Sequence, residues 1–276
     1  MAIETSKEPK VFSDFEHQGW ETNSAGYEQH WARLTRQTVP ATLDAADVAK
    51  DTYVLDVCSG PGMLTAAALE RGAKAVGLDF SDKVVAIARR IVPEAEFYQG
   101  DAQALPFEDD SFDAVVCGYG VIHVPNPDVA LKEMYRVLRP GGRLAISVWE
   151  SPKPNNGFGA LFGALKTHGD LNVPLPHGPD FFQFSDAERM TDALTGMGLR
   201  DIRVQSVDQS WSLDEPLGMI RAVLEGAVRA RALLLAQTDS AREAIERSVS
   251  EQMSQFSSGD GNFEVPMPAI VGAGTV

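Results

Sequence analysis

Tyr53-Val54-Leu55-Asp56-Val57-Cys58-Ser59-Gly60-Pro61-Gly62 is the stretch that sets the fold. Its first half is a short apolar run with one acid near its end. Two glycines around a proline stop that run, and Met63, Leu64, Ala67, Ala68 and Leu69 continue as a helix that Gly72 ends. A strand passing through a glycine turn into a helix is the opening unit of an α/β sheet.

The same alternation continues downstream. Residues 75–78 read as a second strand ended by Asp79, and Ser81 caps a helix striped with Val84, Val85, Ala88, Ile91 and Val92. Residues 95–99 and 112–118 read as strands three and four. Asn126 and Pro127 open a further helix as N-cap and N1, Pro140-Gly141-Gly142 stop it, and 144–149 is a fifth strand. Nearly continuous apolar strands between amphipathic helices predict a doubly wound α/β domain, its parallel sheet covered on both faces.

Outside 51–150 the pattern is weaker. The first dozen residues read as mobile, and 24–43 as helical, with Tyr27, Trp31 and Leu34 at helical spacing. Pro40 is expected to break that stretch ahead of a short helix over 41–49. Residues 151–184 are rich in Pro, Gly and Phe. Ser185 is expected to cap a helix running to about Met197, and 202–207 reads as a strand. Two amphipathic helices follow, one with Ile220, Val223, Leu224 and Ala227, the other with Ala241, Ile245, Val249 and Met253. Residues 263–271 return as a last strand. With no repeat and no long linker, the chain reads as one domain over 1–276. Its cofactor-binding core is at about 51–150, and 14–49, 151–184 and 212–256 are lid and substrate insertions.

Charge narrows the range of partners. Asp and Glu number 39 against 24 Lys and Arg, a formal charge of −15 with no basic patch. That disfavours nucleic acid and anionic membrane surfaces, both of which select for clustered cations. No apolar run approaches the ~20 residues of a bilayer span, and Met1–Pro9 lacks the apolar core of a signal peptide. Cys58 and Cys117 are too few for a disulfide framework, so a cytoplasmic protein is expected. The five histidines (17, 30, 123, 168 and 177) show no metal-ligand spacing.

In an open parallel sheet, ligands bind beyond the carboxyl ends of the strands. Strand one ends in Asp56-Val57-Cys58-Ser59-Gly60-Pro61-Gly62, whose glycines let a ligand approach the backbone. Strand two ends in Asp79, 17 residues after Gly62, where an acid would accept from both hydroxyls of a ribose. Strand three ends in Gly100-Asp101-Ala102. Gly60-Pro61-Gly62-Met63-Leu64-Thr65 lacks the third glycine of a dinucleotide fingerprint and the Gly-Lys-Ser/Thr of a P-loop. No Lys or Arg lies between Asp51 and Glu70 to neutralise a pyrophosphate. A ligand with a ribose and no phosphate fits these facts.

Val54 to Gly62 resembles the first motif of the class I S-adenosylmethionine-dependent methyltransferases. Val76-Gly77-Leu78-Asp79-Phe80-Ser81 is similar to the motif ending in their ribose-binding acid. Gly100 to Phe107 with Asp110-Ser111-Phe112-Asp113 resembles the segment that brackets the adenine. Tyr135-Arg136-Val137-Leu138-Arg139-Pro140-Gly141-Gly142 resembles the turn of the small-molecule branch that includes the ubiquinone/menaquinone C-methyltransferases. Four motifs in order across about a hundred residues carry the resemblance; Cys58 departs from it, standing where the family usually has its first glycine.

The resemblance implies a Rossmann-like, mostly parallel seven-stranded sheet, S-adenosylmethionine as cofactor and S-adenosylhomocysteine as product. It implies that Asp79 takes the ribose hydroxyls, with Phe80 against the adenine. Asp101 would accept from the adenine amino group, and the Ala102 amide would contact the ring. Gly60 and Gly62 would pass beneath the methionine part, beside Asp56 and Ser59, and the Gly118 carbonyl would take its amino group. Tyr27 matches a Tyr that relatives place over the cofactor. The implied chemistry is an in-line displacement at the sulfonium methyl by an O, N or C atom of a small-molecule acceptor. His123 is the candidate base where the acceptor must lose a proton.

Each residue also has a plainer reading. Asp101 could only cap its own turn, His123 could only brace its loop, and Tyr27 with Trp31 could be a packing pair at i, i+4. Cys58 and Cys117 fit as small buried hydrophobes. Phe181, Phe182 and Phe184 either line an acceptor pocket or pack the insertion; apolar insertions favour a hydrophobic or aromatic acceptor, and the negative charge a neutral or cationic one. Two rival functions stay open: a nicotinamide-dependent (NAD(P)) reductase on a related sheet, and a non-catalytic protein that binds the cofactor.

Overall fold

The computed structural model describes residues 8–259 and 261–276; positions 1–7 of the segment read as mobile lie outside the described residues. The chain opens with α1 (Glu8–His30), α2 (Ala32–Thr35) and α3 (Val39–Ala45). The alternating core follows as β1 (Tyr53–Val57), α4 (Met63–Glu70), β2 (Lys74–Asp79), α5 (Asp82–Ile91), β3 (Glu96–Gln99), β4 (Phe112–Gly118), α6 (Pro127–Arg136) and β5 (Leu138–Trp149). Beyond it come α7 (Gly157–His168), α8 (Ala187–Gly196), β6 (Arg200–Val207), β7 (Ser210–Leu213), α9 (Gly218–Gly226), α10 (Arg229–Leu235), α11 (Asp239–Met253), β8 (Phe263–Pro266) and β9 (Ala269–Thr275).

Seven strands form one sheet in the order β3-β2-β1-β4-β5-β9-β6. The pairings among β1 to β5 are all parallel, and β9 lies antiparallel between β5 and β6. This is the doubly wound, mostly parallel sheet expected from the sequence. The order reverses between β1 and β4, so the crevice of the sheet opens above their carboxyl ends. Val54, Leu55, Val57, Val115 and Val116 are completely buried there because helices cover both faces. Ser81 caps α5 as expected, its Oγ accepting from the Val84 amide at 3.3 Å.

Several expectations are corrected. Residues 8–12 are helical, the start of α1. Its glycines do not break it: a Cβ on Gly26 would meet the Glu225 carbonyl oxygen at 2.1 Å, and one on Gly19 would meet Val228. The expected short helix is α3, which runs over Val39–Ala45 and not 41–49; Pro40 stands in its first turn, where a residue has no helical amide bond to lose. Residues 263–271 are two strands, split at Pro266-Met267-Pro268; β8 pairs with β7 in a separate two-stranded sheet. α7 and α10 are helices that the sequence pattern leaves unmarked. Asp186, not Ser185, is the N-cap of α8, accepting from the Arg189 amide at 2.9 Å. Asn126 sits at the N-cap of α6, but its side chain donates to Gln103 Oε1 instead. Strand β5 starts at Leu138, so Pro140-Gly141-Gly142 falls at a register shift inside it.

Among the described residues no helix is long and apolar enough to cross a membrane.

Candidate active site

A cavity of about 730 Å³ lies above the carboxyl ends of β1, β2, β3 and β4. Its floor is the turn from β1 into α4, which needs left-handed backbone at three places: Cys58 (φ 56°), Gly60 (φ 54°) and Gly62 (φ 87°). Nothing lies within 4 Å of where a Gly60 Cβ would stand, so that backbone faces open space. Cys58 holds a conformation that favours glycine, which accounts for the glycine usual at this place in the family it resembles. Gly120 makes room for it, since a Cβ there would lie 2.2 Å from Cys58 Cβ.

Two buried acids hold the turn. Asp56 Oδ2 accepts from the Thr65 amide at 3.0 Å and from Thr65 Oγ1 at 2.7 Å, tying β1 to the first turn of α4. Its Oδ1 has no partner, and neither has the buried Oγ of Ser59. Burial lifts the Asp56 pKa to about 7, against the pull of the Thr65 bonds and with the Asp79 charge adding to the rise. Asp79 Oδ2 accepts from the Gly60 amide at 3.0 Å and Oδ1 from the Ser81 amide at 3.1 Å. Burial raises its pKa too, opposed by those amides. Asp79 is therefore no surface acid: it clamps the ends of β1 and β2 together at the rim of the cavity.

The other expected residues gather around the same space. Phe80 packs edge-on to His17 of α1, ring centroids 5.2 Å apart. Asp101 is exposed at the rim and caps its own turn, Oδ1 accepting from the Gln103 amide at 2.8 Å. Ala102 and Gly118 line the wall; a Cβ on Gly118 would press on Leu64 at 2.9 Å. Tyr27 reaches in from α1, its hydroxyl 3.1 Å from Thr35 Oγ1, and burial pushes its phenol pKa up. His123 lies in a 3-10 turn (Val121–His123) just after β4. Of the eleven expected residues, ten line the cavity, and Gly62 sits behind it as the N-cap of α4.

Sequence reasoning missed one wall. Glu16, His17 and Trp20 of α1, Phe158 and Phe162 of α7, and Arg229 of α10 also line the cavity. With Phe181 and Phe182 they make an aromatic compartment beside the strand ends: Phe158–Phe182 centroids are 5.7 Å apart and Phe162–Phe182 5.6 Å. Phe184 instead is buried in the core. The α1 residues had a signal, since Phe12, Glu16, Trp20, Asn23, Tyr27 and Trp31 recur at three- and four-residue spacing along one face.

These residues fit a nucleoside cofactor with a charged amino-acid tail. Asp56 Oδ1 and Ser59 Oγ are orphaned buried polar atoms beside an open glycine face, and such atoms call for a hydrogen-bonding ligand. Arg229 is the one Lys or Arg among the lining residues and stands on α10, so the turn itself carries no cation for a pyrophosphate. No group of three His, Cys, Asp or Glu that could hold a metal ion occurs among the described residues.

Comparison with known proteins bears on the same segment. Residues 55–146 match the family described as "Methyltransferase domain". A demethylmenaquinone methyltransferase of Beutenbergia cavernae is 40% identical over 140 residues, covering 51% of this chain and 55% of that protein. The chain thus spans about half the length of the curated relatives it matches. Among solved structures, a putative methyltransferase of Bacillus halodurans superposes with a TM-score of 0.56 at 20% identity, covering 86% of this chain and 97% of that one. The [4+2]-cyclase SpnF superposes at 0.55 with 18% identity, covering 99% and 98%. These likenesses establish the fold; they do not carry the chemistry, since one of the neighbours is a cyclase.

Proposed function

From the match of residues 55–146 to a methyltransferase domain, we propose that the chain is a class I S-adenosylmethionine-dependent enzyme that transfers a methyl group from S-adenosylmethionine to a small hydrophobic or aromatic acceptor. The observation that carries this reading is the pair of orphaned buried atoms, Asp56 Oδ1 and Ser59 Oγ, next to the Asp79 clamp and an open Gly60 face.

The cofactor supplies an electrophilic methyl on a sulfonium. Asp79 would accept from the ribose hydroxyls with the lone pairs its two amide donors leave free. Phe80 would stack on the adenine, with Asp101 and the Ala102 amide at its edge. Gly60 and Gly62 would let the methionine part lie on the backbone, and Asp56 Oδ1, Ser59 Oγ and the Gly118 carbonyl would take its polar end. Tyr27 would cover it from α1. The aromatic compartment would hold the acceptor in line and exclude water, and His123 would be the base. We assign the lid to segments 14–49, 151–184 and 212–256 of a single functional unit. A cytoplasmic setting suits the two free thiols, Cys58 and Cys117. The demethylmenaquinone substrate of the relatives does not transfer: the acceptor side is built from α1, α7, α10 and the 171–182 loop, outside the matched 55–146.

Calorimetric titration tests the reading. S-adenosylhomocysteine is expected to bind and to raise Tm, and NADPH to do neither; stabilisation by NADPH alone would replace this proposal with a reductase. Turnover of labelled methyl donor on a metabolite extract separates an enzyme from a silent binder.

A further inference from the structure

Glu16 is a carboxylate that the cofactor reading does not use. It is fully buried, at 0% exposure, and a buried charge is costly unless hydrogen bonds and a counter-charge surround it. Its Oε2 accepts from Trp20 Nε1 at 3.1 Å and lies 3.0 Å from His123 Nδ1. Its Oε1 has no partner. Arg229, the one Lys or Arg lining the cavity, feels the Glu16 charge without a direct ion pair to it: that guanidinium sits over the rings of Phe12 and Phe181, 5.2 and 5.5 Å from their centroids. The counter-charge Glu16 faces at hydrogen-bond distance is therefore the one His123 would carry when protonated.

The contact bears on which nitrogen of His123 is free. A hydrogen bond donated by Nδ1 to this carboxylate requires the Nδ1–H tautomer, which leaves Nε2 its lone pair. Nε2 makes no hydrogen bond among the described residues, and the ring lines the cavity. Trp20 and Phe181 clamp it edge-on, with centroids 5.0 and 5.7 Å away. Other charged groups on this side are His17 on α1, Arg229 on α10, and Asp180 and His177 on the loop before Phe181. Glu16 is the only one of them with a hydrogen bond to the ring.

We propose that Glu16 is a positioning residue: delivered by α1, it fixes His123 in the Nδ1–H tautomer so that Nε2 takes a proton from the acceptor. The acceptor class is then a hydroxylated aromatic. Its O–H bond breaks, the proton goes to Nε2, the oxygen's electron pair forms the bond to the methyl carbon, and the carbon–sulfur pair leaves with the sulfur. The imidazolium so formed is neutralised by Glu16 and returns its proton to water. The same helix touches the cofactor side, where Glu21 accepts from Ser81 Oγ and His17 lies on Phe80. The base is thus assembled only when α1 is seated over both compartments. This inference rests on the methyl-transfer reading.

The test is the tautomer of His123, read by long-range ¹H–¹⁵N correlation of histidine-labelled protein with His123→Asn to assign the signal. Wild type is expected to show Nδ1–H, Glu16→Gln to shift toward Nε2–H, and Glu16→Asp to keep Nδ1–H. An Nε2–H tautomer in wild type overturns the proposal whether or not the variants fold. Turnover is measured with labelled methyl donor on a panel of phenols and catechols against a matched panel of aromatic amines. Glu16→Gln is expected to lower kcat roughly 10²-fold or more, the scale of losing an oriented base. KM and the S-adenosylhomocysteine Kd are expected to stay within about threefold, and Glu16→Asp to recover part of the rate. Unchanged kcat in Glu16→Gln, or turnover of the amine panel alone, overturns it. Failure of wild type to bind S-adenosylhomocysteine sinks the methyl-transfer reading instead, and the tautomer measurement still stands.

Discussion

Gly26 and Gly226 let α1 and α9 touch backbone to backbone: a Cβ on Gly226 would lie 2.8 Å from the Tyr27 amide nitrogen, and one on Gly26 2.1 Å from the Glu225 carbonyl oxygen. Alanine in an exposed helix would gain about 1 kcal/mol over glycine. Here the obstacle is backbone, which cannot rotate away, and overpacking costs about 1–3 kcal/mol. Gly26→Ala is expected to lower Tm and to raise proteolytic cutting within α1. An unchanged or higher Tm would mean that the two helices have slack.

Asp79→Asn keeps the size of the side chain but loses its charge. The change is expected to weaken S-adenosylhomocysteine binding by about 1.5–3 kcal/mol, the scale of charge-assisted hydrogen bonds, or roughly 10- to 150-fold in Kd. Calorimetry with a parallel circular-dichroism melt separates this from a loss of the β1–β2 clamp. An unchanged Kd would remove Asp79 from the ribose.

Asp56 gives the fold a pH signature. Its folded-state pKa is raised to about 7, above the ordinary carboxylate value, so the native state binds the proton more tightly than the unfolded chain. Its contribution to stability is full below about pH 4 and is lost as pH rises to about 7, at up to roughly 1.4 kcal/mol per pH unit. Asp79, raised in the same direction, adds to the trend. Denaturant melts of wild type and Asp56→Asn from pH 4 to 8 are expected to differ most in slope between 4 and 7. Parallel curves would refute the elevated pKa.

Glu21 fastens α1 to the cofactor side through Ser81 Oγ and lies 3.3 Å from Lys83 Nζ. The Lys83 end is exposed, and such pairs add little to stability. Glu21→Gln is expected to change the unfolding free energy by no more than about 1 kcal/mol, while S-adenosylhomocysteine dissociates several-fold faster in stopped flow. Equal dissociation rates would show that α1 does not gate the cofactor.

The β1 to β5 core was legible because β1, β2, β4 and the second half of β5 are nearly all apolar and α5 and α6 carry clean stripes, so period and burial agree. The strand-end residues Asp56, Asp79 and Asp101 followed from that topology. What surrounds the acceptor side was not legible. α7 is apolar on most of its circumference and holds Gly157, Gly159 and Gly163, which read as loop; a Cβ on Gly157 would meet Met267 Sδ at 2.5 Å, so its reason is a contact distant in sequence. The spacing of Phe12, Glu16 and Trp20 puts Glu16 on the inner face of α1, but nothing local names its partner His123, 107 positions away. Phe181 and Phe184 are indistinguishable by composition, yet one lines the cavity and the other the core.

Strand β9 has a consequence for how the protein is made. Residues 269–275 fill the slot between β5 and β6, strands that leave the ribosome some 65 to 130 residues earlier. Until that ribbon arrives, β5 has a bare flank and β6 has no strand partner, both rich in unpaired amides and carbonyls that invite pairing with another nascent chain. The central sheet closes last at a place in its interior, not at its rim. Chaperone dependence and aggregation during synthesis should therefore concentrate in the interval between emergence of β6 and of β9, and ribosome-stalled chains ending before residue 269 should be the most aggregation-prone of a truncation series.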